Sequence, residues 1–171
     1  MKKAILILLL CFGHSQLFSQ EKSKITAAEI SFVFNHKNTK GTVAGFSSSS
    51  TIDFDHLDTS TFKGTVKVET LKTGNFVRDW SIKGSKYFNE DKYPTMSFES
   101  TSVSMNNSDI VVEGKLTIKD VTKTVRINFK KESNQLVGTA VIYSSDYGIH
   151  IYKNDKAKNK VTVKIILQLA S

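Results

Sequence analysis

The chain predicts an all-β fold: an antiparallel barrel of about eight strands with one short helical insertion over residues 75–92. Three observations carry this. Apolar and polar residues alternate in short runs, the mark of strands with one dry and one wet face. Gly, Asn, Asp and Ser fall between most of those runs, where turns need them. One stretch alone abandons the two-residue period, residues 74–100 (GNFVRDWSIKGSKYFNEDKYPTMSFES), and it holds the only Trp and the only Pro.

Residues 1–20 read as a signal peptide. Lys2 and Lys3 supply a positive start, residues 4–12 an apolar run about half as long as a membrane span requires, and residues 15–19 a more polar exit, with cleavage after Ser19 or Gln20. The mature domain is then residues 21–171, periplasmic or secreted. Cys11, the only cysteine, leaves with the signal, so a disulfide is excluded although the compartment would permit one. The net charge of +8 favours anionic partners, but the lysines are spread along the strands rather than gathered on one element. Secretion removes nucleic acid from the expected partners.

In residues 29–35, Ile30, Phe32 and Phe34 share one face and Ser31 and Asn35 the other, giving a half-buried strand. A turn over 37–41 leads to a strand over 42–46, and the serine run 47–50 is a polar patch too brief for a linker. Ile52 and Phe54 point inward from 51–55; Phe62, Val66 and Val68 continue that face. In the insertion, Asn75 can cap a first turn with its side-chain oxygen. Phe76 and Trp80, four residues apart, share a helical face with Val77 beside them. Gly84 stops the helix through a left-handed backbone, and a second turn holds Tyr87 and Phe88. The expectation is an aromatic lid with Trp80 over a hollow.

Tyr93 before Pro94 is pushed to an extended backbone, which starts the next strand with Met96 and Phe98 inward. Asn106 and Asn107 make a hairpin turn, since Asn tolerates positive φ. Ile110, Val112, Leu116 and Ile118 share one parity, with Gly114 as a kink or bulge. Val125, Ile127 and Phe129 face in on the return strand. Gly138 and Ala140 suit close approach on one face of residues 136–143. The last run, 161–169, places Val161, Val163, Ile165, Leu167 and Leu169 inward. So long an apolar strand is an aggregation hazard at an open edge, and closing the sheet removes the edge.

The inward rings can fill the interior solidly or line a tunnel for a long apolar chain, and the residues alone leave both open. In the tunnel reading the lining is Phe32, Phe34, Phe54, Phe62, Val66, Val68, Trp80, Tyr87, Phe88, Phe98, Leu116, Ile118, Ile127 and Phe129, with Arg78 at the mouth either meeting an anionic head group or forming a structural clasp with Asp79. No catalytic constellation and no metal site are expected. His36, His56 and His150 have no companion at ligand spacing; Asp53, Asp55 and Asp58 lack the Gly and distal Glu of a calcium loop; nothing places Ser145, Asp146 and His150 together.

Thr73-Gly74 followed by Arg78-Asp79, Lys86-Tyr87-Phe88-Asn89, Tyr93-Pro94 and Phe98-Glu99-Ser100, and then residues 114–123 (GKLTIKDVTK), resemble the two signatures of the YceI-like family of secreted polyisoprenoid-binding proteins. The resemblance covers residues 30–169. It implies an extended, lipocalin-like barrel holding an isoprenoid or other long amphiphile, with no enzymatic activity and no cofactor beyond a bound isoprenoid or fatty-acyl lipid. It places Arg78, Asp79, Tyr87, Phe88, Tyr93, Pro94 and Phe98 around the helical lid, and Leu116 and Ile118 in the bore. The chain departs from the family in two places: Ala27-Ala28-Glu29 replaces an aromatic-Asp-His-Ser opening, and residues 144–148 (SSDYG) lack the arginine of the Arg-x-Asp-Phe-Gly motif. A long-chain lipid is the expected partner, with transient membrane contact and a homodimer as secondary ones. The competing reading is a ligand-free envelope barrel acting as a protein-interaction module through its basic loops, Lys156, Lys158 and Lys160 among them.

Overall fold

The computed structural model describes residues 22–170; the expected signal peptide lies outside them. The strands are β1 (Ile25–Phe34), β2 (Thr39–Val43), β3 (Ser47–Ser48), β4 (Lys63–Lys67), β5 (Thr95–Asn106), β6 (Asp109–Ile118), β7 (Val121–Glu132), β8 (Gln135–Tyr143) and β9 (Lys160–Leu169), with one α-helix, α1 (Phe76–Lys83), between β4 and β5. All pair antiparallel in one sheet of order β2-β1-β9-β8-β7-β6-β5-β4-β3. The count is nine rather than eight because the serine run supplies the two-residue β3, where hydroxyls replace the apolar alternation that marks a strand. Ser48 and Ser50 Oγ both donate to the Lys63 carbonyl, which holds this segment against β4.

The sheet curls until its ends meet. Thr42, in β2, exchanges two backbone hydrogen bonds with Lys72, just past β4, and Lys67 N donates to Ala44 O at 3.0 Å. This seam covers the edges that an open sheet would expose to other chains. Three two-residue loops set the register of β5 through β8. In each the first residue, Asn107, Lys119 or Ser133, takes a positive φ of 53–58°, as a tight hairpin demands.

The two-residue period then decides what faces in. Buried side chains gather in two clusters. One holds Ile25, Ile52, Phe62, Ile110, Phe129, Leu136 and Leu169. The other holds Val43, Val68, Leu71, Met96, Ile118, Tyr147 and Ile149, at the end where α1 sits. Cross-strand glycines make room for the rings between them. A Cβ on Gly41 would stand 2.3 Å from the Phe32 ring, and one on Gly138 2.4 Å from that of Phe129. Phe32 and Gly41, and Phe129 and Gly138, are register partners, so each ring lies across the strand where its neighbour lacks a side chain. Opposite Gly114 the irregularity falls on β5 instead, between Ser100 and Ser102.

Candidate functional site: an apolar cavity and its mouth

Between the two clusters lies a cavity of about 660 Å³, within the range of small-molecule sites. Its walls come from β1, β2, β4–β9, the segment around β3 and the insertion. The apolar alternation that buries one face of every strand thus leaves a hollow, and the solid core is set aside.

Twelve of the residues expected at the site border this space. Phe32, Phe34, Phe62 and Val66 come from the N-terminal strands; Phe98, Leu116, Ile118, Ile127 and Phe129 from the middle of the sheet; Arg78, Tyr87 and Phe88 from the insertion. Phe62 and Phe129 stack at 5.6 Å and are almost fully buried, so they form a floor. Three expectations fail. Phe54 packs behind the wall against the cluster at that end, with Lys131 Nζ 4.6 Å from its ring centroid. Val68 is wholly buried in the cluster beneath α1. Trp80 points to solvent, 74 % exposed, with Phe76 at 85 % and Val77 at 71 %. The helix does close over the barrel, but it does so with Ile82, followed by Tyr87 and Phe88, all packed against the upper cluster.

Wall residues outside the expected set include Phe46, Leu71, Ile82, Ile142, Tyr147 and Ile149. Ile142 follows from the parity of β8. Tyr147 and Ile149 sit in an irregular loop, where no period points them inward.

Local chemistry fixes the insertion. Asn75 caps α1, its Oδ1 accepting from Arg78 N at 2.9 Å. Gly84 ends the helix with an extended backbone (φ −66°, ψ 171°), not the left-handed one expected; the positive φ, 75°, is at Gly74. Thr73 is the hub. Its amide, at 2.7 Å, and its hydroxyl both donate to Asp79 Oδ1, while Arg78 donates from Nε to its hydroxyl and from Nη2 to its carbonyl. The clasp is therefore two side chains gripping the preceding loop. The donors from Thr73 hold the Asp79 carboxyl below its ordinary value of 3.8. Tyr93 Oη donates to Asp120 Oδ2 at 3.0 Å, tying the end of the insertion to the β6–β7 hairpin and lowering the Asp120 pKa.

Most exposed wall residues lie at this end: Lys37, Asn75, Val77, Arg78, Ser81 and Ile151. They mark the mouth. Beside it the 151–159 loop is organised by the fully buried Asn159, whose side chain accepts from the amides of Ile151 and Tyr152 and donates to the carbonyls of Tyr152 and Asp155. Lys156 is bonded to Asp146 and Lys158 to Asp155, so two of the three lysines offered as a protein-contact surface are already paired. The Asp53 carboxylate accepts from the amides of Asp55 and His56 as an ordinary turn. Tyr147 is 1 % exposed and its hydroxyl has no partner among the described residues; burial raises its pKa to about 12, so it stays a neutral phenol.

Several known proteins are similar to this chain in sequence or in fold. A UPF0312 protein of Photorhabdus laumondii is 36 % identical over 88 residues, 52 % of this chain and 46 % of its own. One of Pseudomonas paraeruginosa is 28 % identical over 134 residues, 72 % and 69 % of the two chains. Protein YceI of Escherichia coli is 30 % identical over 90 residues, 53 % and 47 %. The chain spans about half the length of most of these curated relatives. Among solved structures, Burkholderia cenocepacia BcnA superimposes with a TM-score of 0.70 at 22 % identity, covering 84 % of this chain and 96 % of that one. A polyisoprenoid binding domain from Saccharophagus degradans does so at 0.58 and 14 % identity, covering 88 % and 97 %. The model of the YceI-like domain matches residues 19–169, the whole barrel, and the chain belongs to that family.

Proposed function

We propose that this protein is a secreted or periplasmic carrier that holds a polyisoprenoid or another long-chain amphiphilic lipid inside the barrel, without performing chemistry on it. The cavity carries this reading: about 660 Å³ walled by phenylalanine and branched aliphatic side chains. Each methylene moved from water into such a space contributes about 0.8 kcal/mol, so ten would supply about 8 kcal/mol before the cost of ordering the chain. Specific polar contacts are then needed only at the head group. Lys37 and Arg78 at the mouth are the cations within reach of one. The S. degradans neighbour, described as polyisoprenoid binding, supports the class of guest, and residues 1–20, read as a signal peptide, support the compartment.

The test is organic extraction and native mass spectrometry of protein purified from its own host. A long-chain amphiphile released at close to one per chain is the expected result. An intact barrel that repeatedly carries none, and takes up none from isoprenoid mixtures, contradicts the proposal.

A further inference from the structure

We propose that the outward face of α1, formed by Phe76, Val77 and Trp80, is a docking surface for an anionic lipid bilayer, set at the cavity mouth. These three side chains are 71–85 % exposed, although the other phenylalanines among the described residues are buried, fully or in part. They form one patch: Phe76 and Trp80 are a turn apart, and Val77 lies beside them. Ile82, two positions past Trp80, is turned to the opposite side and packs on the barrel. Ile82 is thus the hydrophobic side chain of α1 that packs on the core, and the helix presents its largest groups to the outside.

Charge around the patch selects the occupant. Lys72, Arg78, Lys83 and Lys86 lie on or within a few residues of the helix, Arg78 bonded to Thr73, Lys83 Nζ donating to the Glu69 carbonyl at 3.1 Å and Lys86 Nζ 5.4 Å from the Tyr87 ring, so all four keep their positive charge at this end of the barrel. The only acid on the helix, Asp79, is turned away and engaged by Thr73, and Glu69 is bonded to Lys67. The more distant Asp91 follows the second turn of the insertion. Aromatic side chains with lysines beside them suit the head-group region of an anionic membrane, where rings enter the interface and cations meet phosphate. The eight residues of α1 are too short to cross a bilayer, and no helix among the described residues is long and apolar enough to do so, so the contact is superficial and reversible. Val77, Arg78 and Ser81 also border the cavity. A membrane seated on this face touches the entrance, and an apolar guest passes between the two without crossing water.

Trp80 is the only tryptophan in the chain, so its fluorescence reports the contact directly. The mature chain is mixed with phosphatidylcholine vesicles with and without phosphatidylglycerol. The expected result is a blue shift and quenching by brominated acyl chains with the anionic vesicles, weakened by added salt. Partitioning falls at least tenfold in a Phe76→Ser/Val77→Ser variant whose melting temperature is unchanged, and likewise in Lys72→Glu/Lys83→Glu/Lys86→Glu. The proposal is overturned if the emission stays that of water-exposed Trp with every vesicle, or if the serine variant binds as tightly as the parent. It is equally overturned if the blue shift arises without vesicles and with a doubling of mass, which would make the face a contact between two copies. Lipid extracted from the cavity is measured separately, so a loaded barrel that ignores vesicles removes the docking surface and leaves the carrier.

Discussion

The Phe98 ring lies over Gly114 on the neighbouring strand so closely that a Cβ on that glycine would stand 2.4 Å from Phe98 Cζ and 2.5 Å from the Glu99 carbonyl. The ring can yield, but the carbonyl belongs to a strand paired on both sides. Gly114→Ala is therefore expected to destabilise the barrel by about 1–3 kcal/mol, the usual cost of overpacking. Urea unfolding checks this; an unchanged midpoint would mean that the wall is slack there.

Ala140 borders the cavity from β8. In a solid core Ala140→Phe would cost about 1–3 kcal/mol. Here the added ring enters empty space, so the variant is expected to melt at or above the parental temperature while binding less lipid. A large loss of stability would show that the space is not available.

Burial without a partner makes the Tyr147 hydroxyl a liability. Tyr147→Phe is expected to keep or raise stability, by about 1 kcal/mol at most. The phenol pKa is about 12 in the folded state against 10.0 for the free group. The folded form thus holds its proton where the unfolded form has lost it, and the associated stability is complete below pH 10 and is lost as the pH rises toward 12. Denaturation profiles of parent and variant should converge below pH 10 in slope and separate above it. A destabilised variant at neutral pH would reveal a bonded hydroxyl.

Asp79 has the opposite sign. Its folded pKa lies below 3.8, so the grip on Thr73 is complete above that value and is lost as pH falls through the depressed folded one. An NMR titration of the Asp79 carboxyl should give a midpoint below 3.8, and Asp79→Asn should loosen residues 71–84, read as faster amide exchange in α1, with little effect on the sheet. A midpoint at or above 3.8 would contradict the clasp.

The strands were legible because a two-residue period assigns each side chain to one of two faces, and a single buried residue settles all the others. Phe32, Phe98, Leu116 and Phe129 fell into place for that reason. The helix offered no such anchor. The spacing of Phe76 and Trp80 rightly put them on one face but carried no sign of which way that face turned; the eight-residue helix has only Ile82 to define an inner side. Phe54 and Val68 were placed at the wall because strand parity was extended past the strands, into segments that turn. Gly84 illustrates a weaker inference: a glycine at a helix end permits a left-handed backbone without requiring it. Tyr147 and the Thr73 hub depend on loops folding back over the sheet, which no local pattern encodes.

Whether a long apolar chain occupies the barrel is decided by the affinities of a series of isoprenols of increasing length. Binding is expected to tighten with each added unit, approaching about 0.8 kcal/mol per methylene until the cavity is full, and then to level off. Affinities that do not depend on chain length would contradict it.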